Sequence, residues 1–157
     1  MMWLGCFVLL RMIVSCGEPP IATESQVLDI LNRPRSDAQQ KALAQTGRRL
    51  FLRQNCHNCH GTDGKSTLAP SLRQLYIAPV KLADGTTIDR DPAYLARSII
   101  HPQAQVVAGY AQQMANYSRV LSADDVAALI TYLHQYSPPP ASLNSKPSQR
   151  PSSPATP

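Results

Sequence analysis

Two cysteines three positions apart, followed at once by a histidine, form the run Cys56-His57-Asn58-Cys59-His60, where most of the chemistry of this chain is concentrated. The spacing fits covalent attachment of a haem. Each thiol can add across one vinyl group of the macrocycle, and the next histidine is then held beneath the iron as its proximal ligand. A structural zinc site needs four closed ligands, usually as two pairs. After the leader there is no second cysteine pair, and only His57, His60, His101 and His134 could complete such a site. A Cys56–Cys59 disulfide is the other alternative, natural in an oxidising compartment.

A histidine on one side of a haem leaves a sixth position on the other. Of the methionines, Met1, Met2 and Met12 fall in the leader, so Met114 is the one remaining after processing. It stands in the polar stretch Ala111-Gln112-Gln113-Met114-Ala115-Asn116 and not on an apolar helical stripe. A thioether is a soft ligand suited to haem iron, and Met114 is the expected distal ligand. His101 and His134 are the competitors. Both sit where a helix end gives them structural work instead, and His57 is expected at the surface.

Helices must position these groups. A first is expected from about Ser36 to Asn55, capped by Ser36 or Asp37, with Leu43, Gly47, Leu50 and Phe51 at helical spacing. Asp91-Pro92 offers a cap and a first helical residue for a second, whose face Tyr94, Leu95, Ser98 and Ile99 ends before Pro102. A third starts at Ser122, where Ser122 to Asp125 resembles a capping box, and Val126, Leu129, Ile130 and Leu133 follow at helical intervals. Asp84-Gly85 between alternating residues from Val80 to Ile88 permits one small hairpin. The expectation is a mainly α domain with long loops over residues 36–136.

The flanks read differently. Residues 1–15 are short and apolar, as in an export segment, and Ile13-Val14-Ser15-Cys16-Gly17 resembles the bacterial lipobox, which implies a lipidated Cys16. Residues 16–35 are polar and Pro-containing and are expected to be a tether with one loose helical turn at most. Residues 137–157, rich in Pro and Ser, read as a disordered tail. The chain of 157 residues has a formal charge of +5, and setting aside Arg11, Lys146 and Arg150 leaves only +2. No Lys/Arg cluster with interleaved aromatics exists, which argues against nucleic-acid binding.

These residues together resemble class I cytochromes c. Gly47-Arg-Arg-Leu-Phe51 is similar to the family's Gly-x-x-x-aromatic helix, and Leu129 to Leu133 to its C-terminal partner. Ala69-Pro70-Ser71-Leu72 resembles the Gly-Pro-x-Leu segment, which implies that the Pro70 carbonyl accepts the Nδ1 proton of His60. The resemblance implies the class I fold, three to five helices around one covalent haem c with a small hairpin at most, and electron transfer as the function. In the family, Pro commonly follows the methionine, where this chain has Ala115.

A narrower likeness runs through Val80-x-Leu-x-Asp-Gly85, Tyr94-Leu95-x-x-Ser98-Ile99-x-x-Pro102, Val106-Val107-x-Gly109-Tyr110 and Leu121-Ser122-x-x-Asp125. It is similar to the cytochrome c domains of oxidase subunit II and to the lipid-anchored monohaem subunit of alternative complex III. It implies a membrane-anchored subunit on the periplasmic face, serving respiration or photosynthesis and meeting other redox subunits. A free membrane-tethered carrier, a haem sensor or small haem enzyme with a displaceable methionine, and a mainly structural haem subunit are the alternatives. Arg73, Tyr76, Arg97 and Tyr117 are the expected hydrogen-bond donors to the haem propionates.

Overall fold

The computed structural model describes residues 21–138. Among them are helices α1 (Glu24–Leu31), α2 (Asp37–Arg53), α3 (Cys56–His60), α4 (Pro92–Ile100) and α5 (Ala123–Leu133), with a small hairpin of β1 (Val80–Lys81) and β2 (Thr87–Ile88) between α3 and α4 in the chain. Short 3-10 turns cover Leu72–Gln74 and Pro102–Ala104. The leader, Cys16 and the Pro/Ser-rich tail lie outside the described residues. No helix among the described residues is long and apolar enough to cross a membrane.

The helix starts follow from their caps. Ser36 Oγ accepts from Gln39 N and the Gln39 side chain accepts from Ser36 N, closing a capping box on α2. Asp91 caps α4 through Tyr94 N at 2.7 Å, with Pro92 in the first turn. On α5, Asp125 Oδ2 accepts from Ser122 N at 3.1 Å and Ser122 Oγ accepts from Asp125 N at 3.1 Å, so aspartate serves where glutamate is usual.

α2 and α5 cross at Gly47. A Cβ built there would lie 1.9 Å from the Ala128 carbonyl oxygen and 2.8 Å from Tyr132 Cβ, so only a hydrogen fits between the two backbones. That approach lets Leu50 and Phe51 meet Val126, Leu129 and Tyr132 in one core, with the Phe51 and Tyr132 ring centroids 5.4 Å apart. In the hairpin, Val80 pairs with Ile88 and Lys81 with Thr87, and Gly85 takes the turn at φ +89°. Leu82 makes an isolated bridge to Val107, which joins the hairpin to the segment leading to Met114.

Two features depart from the sequence reading. The expected tether is in part a helix: α1 carries its own capping box between Thr23 and Gln26, and Val27 and Ile30 are buried against α4 and α5. Glu24 grips Arg97 of α4 through paired bonds, both 2.9 Å, and Ala22 N donates to Ser118 O at 3.3 Å. The first expected helix also stops early. Gln54 caps α2 and Asn55 turns left-handed at φ 57°, a conformation Asn tolerates, before α3 begins.

Candidate haem site

The break at Asn55 gives the motif a helical turn of its own. Within α3, Cys56, Cys59 and His60 stand at i, i+3 and i+4 and so share one side of the turn. Both thiols are free and no disulfide joins them. Burial pushes the Cys56 thiol up from its ordinary pKa, opposed by its own backbone and reinforced by Cys59.

His60 is oriented from behind. Its Nδ1 donates to the Pro70 carbonyl at 3.2 Å, which leaves Nε2 free to serve as a ligand. Burial lowers the His60 pKa and the bond to Pro70 works the other way. Pro70 is held by a closed loop: Leu72 N and Ser71 Oγ both reach Gly64 O, at 3.0 and 3.2 Å, and Arg73 Nε reaches Asp63 O at 2.8 Å. Tyr136 clamps the same loop to the end of α5 by donating to Thr62 O at 2.8 Å.

Cys56, His60 and Pro70 border a cleft of about 1140 Å³, mouth and open solvent included, and Met114 lines the same cleft. The α4 face Tyr94, Leu95, Ser98 and Ile99 makes one wall, as its spacing required, and Phe51, Leu129 and Leu133 make another. Cys59 is exposed beside it. Mostly apolar walls, two free thiols, an oriented imidazole and a thioether form the donor set that a covalent haem requires. Among the described residues, no three or more His, Cys, Asp or Glu side chains come together as a group that could hold a metal ion.

Three of the expected propionate donors are placed elsewhere. Arg73 is 3.6 Å from Asp63, Arg97 is paired with Glu24, and Tyr76 Oη donates to His134 Nε2 at 3.0 Å. Only Tyr117 of the four lines the cleft, where its hydroxyl donates to Gln54 O at 3.4 Å. The guanidinium on the cleft is Arg90, which the sequence reading passed over. Its signal was its position one residue before the Asp91 cap of the cleft-lining helix. His57 is a smaller correction: it is half-buried, not at the surface, and its Nδ1 finds no hydrogen-bond partner among the described residues. His101 is exposed at the end of α4, away from the cleft lining.

The His134 pair has a measurable consequence. Burial pulls the His134 pKa from 6.5 down to about 4, so the folded protein holds it neutral, as an acceptor for Tyr76 must be. Below pH 6.5 the unfolded chain takes up a proton that the fold refuses, and stability falls as pH drops toward the folded value. The loss is roughly 3 kcal/mol between pH 6.5 and 4. Denaturant unfolding of wild type and His134→Gln across this range is expected to give diverging curves, flatter for the variant. Parallel curves would remove this role.

A thiol pair that anchors a macrocycle and an imidazole and a thioether facing the same cleft describe a haem c protein of the mainly helical, class I kind. Residues 44–137 match the family model described as Cytochrome c, which covers more than half of the chain, and the chain belongs to the cytochrome c family. It is therefore an electron-transfer protein built on covalently bound haem c. No curated protein matches the chain. Helix α1 lies before the matched residues and is an addition to them.

Proposed function

We propose that this chain carries electrons through a single haem c as a lipid-anchored subunit of a membrane respiratory or photosynthetic complex, one that oxidises quinol or feeds a terminal oxidase. The haem, when bound, supplies a one-electron iron couple. Cys56 and Cys59 would hold it covalently and His60 and Met114 would ligate its iron, with the His60 ring fixed by the Pro70 carbonyl. The observation that carries this reading is the meeting of Cys56, His60 and Pro70 with Met114, more than forty residues further along the chain, on one cleft.

With His60 and Met114 both holding the iron, no place would be left there for a substrate, and the protein would act as a relay. A thioether opposite an imidazole favours a higher reduction potential than two nitrogen ligands do, which fits a carrier downstream of quinol. Arg90, on the cleft, is suited to face the haem carboxylates. The lipobox-like run ending at Cys16 supports a membrane anchor, and two or three acyl chains are enough for stable attachment.

In native membranes, quinol is expected to reduce the wild-type haem, and the N-terminal peptide is expected to carry acyl mass on Cys16. Cys16→Ser is expected to lose that mass and slow quinol-linked reduction by at least about tenfold through lost local concentration, with the optical spectrum unchanged. A wild-type haem that quinol does not reduce, with its other redox subunits present, would contradict the assignment to such a complex.

A further inference from the structure

The segment bearing Met114 is a loop, so contacts outside it must set its position. Ala111, Gln112, Gln113, Ala115 and Asn116 are exposed, and Gln113 N donates to Ala111 O at 2.9 Å. Ala115 follows Met114, so no pyrrolidine ring stiffens the backbone at that point. Tyr117 ties the far end of the loop to Gln54. Nearer the thioether, Gln103 Nε2 donates to the carbonyl of Met114 itself at 3.1 Å.

Gln103 is exposed, but the turn beneath it is fixed to the cleft wall. It is the middle residue of the 3-10 turn Pro102–Ala104, where Pro102 is buried and Ala104 N donates to His101 O at 2.9 Å. The buried Gln105 side chain follows and accepts from Ser98 Oγ of α4 at 3.4 Å. Ser98, Pro102 and Gln105 all line the cleft that Met114 lines. The exposed Gln103 side chain, carried on a turn held by the wall, thus reaches the backbone of Met114 on the same cleft.

The geometry points to Gln103 as the positioning residue of the distal ligand: its amide sets the Met114 backbone so that the thioether faces the cleft. This rests on the assignment of Met114 and deepens it, supplying the restraint that Ala115 does not. One amide–carbonyl bond corresponds to roughly a two- to tenfold change in the equilibrium between seated and released loop.

The test uses the haem-loaded protein. Wild type, Met114→Ala, Gln103→Ala and Gln103→Glu are compared by the weak methionine-to-ferric-iron band and by the rate at which carbon monoxide is captured by the reduced form. Amide hydrogen exchange over residues 111–117 is followed alongside. Gln103→Ala is expected to keep the band but raise both capture and loop exchange roughly two- to tenfold. Gln103→Glu is expected to match it at pH 7, where a carboxylate faces the carbonyl, and to return toward wild type near pH 4, where a protonated carboxyl can donate. Each rate is taken relative to wild type at the same pH. If Gln103→Ala and Gln103→Glu behave as wild type while Met114→Ala opens the site fully, Gln103 does not position the ligand. A wild type without the band overturns the Met114 assignment and this inference with it.

Discussion

Gly47→Ala is expected to cost the protein about 3 kcal/mol or more, because the added methyl has no place to go. It would sit 1.9 Å from the Ala128 carbonyl oxygen, a backbone atom that no rotamer change can move. Relief requires α2 and α5 to separate, and α5 is buried along residues 126–133. Alanine returns about 1 kcal/mol of helix propensity, against an overpacking cost of about 1–3 kcal/mol even where side chains can adjust. Here they cannot, so the overpacking cost lies above that range, at about 4 kcal/mol or more, which leaves a net loss of about 3 kcal/mol or more after the propensity gain. For a domain of this size the unfolding midpoint is expected to fall by roughly 10–20 °C, read by calorimetry of the haem-loaded protein. An unchanged midpoint would mean that the helices do not cross at Gly47.

The second large effect is chemical. Cys56→Ser and Cys59→Ser are each expected to leave one thioether, and the double variant none, because a hydroxyl lacks the nucleophilicity of a thiolate. Mass spectrometry under denaturing conditions should show the haem increment on wild type and its complete absence from the double variant. The cleft walls remain in that variant, so haem held by His60 and Met114 alone should be lost on denaturation. A wild-type mass without the increment and lighter by two hydrogens would instead identify a disulfide.

The sequence made some of this site legible and hid the rest for physical reasons. Where a local pattern has a local outcome, the reading carried through: the cap at Ser36, the capping box at Ser122, the α4 face and the Asp84-Gly85 turn. Helix α1 escaped because its apolar residues are few and its stability comes from α4 and α5. Thr23 with Gln26, and Val27 with Ile30, were nevertheless a capping box and a helical pair in plain view. Long-range charge placement was the least legible. Arg73, Arg97 and Tyr76 were plausible cofactor donors by type, yet Asp63, Glu24 and His134 meet them in the fold, and none of those pairings follows from spacing. Gln103 belongs with them, since its bond to Met114 needs the 3-10 turn after α4 to face the ligand loop.

The claim on which the account turns is that His60 and Met114 face each other across one haem and close both axial positions. Oxidised and reduced optical spectra of the membrane-expressed protein, recorded beside Met114→Ala with and without carbon monoxide, test it most directly. The account predicts the weak red band of methionine on ferric iron and little carbon monoxide binding in wild type, with the band gone and carbon monoxide bound readily in Met114→Ala. Ready binding of carbon monoxide by wild type, or absence of the band, would contradict it and make a haem sensor or small haem enzyme the leading reading.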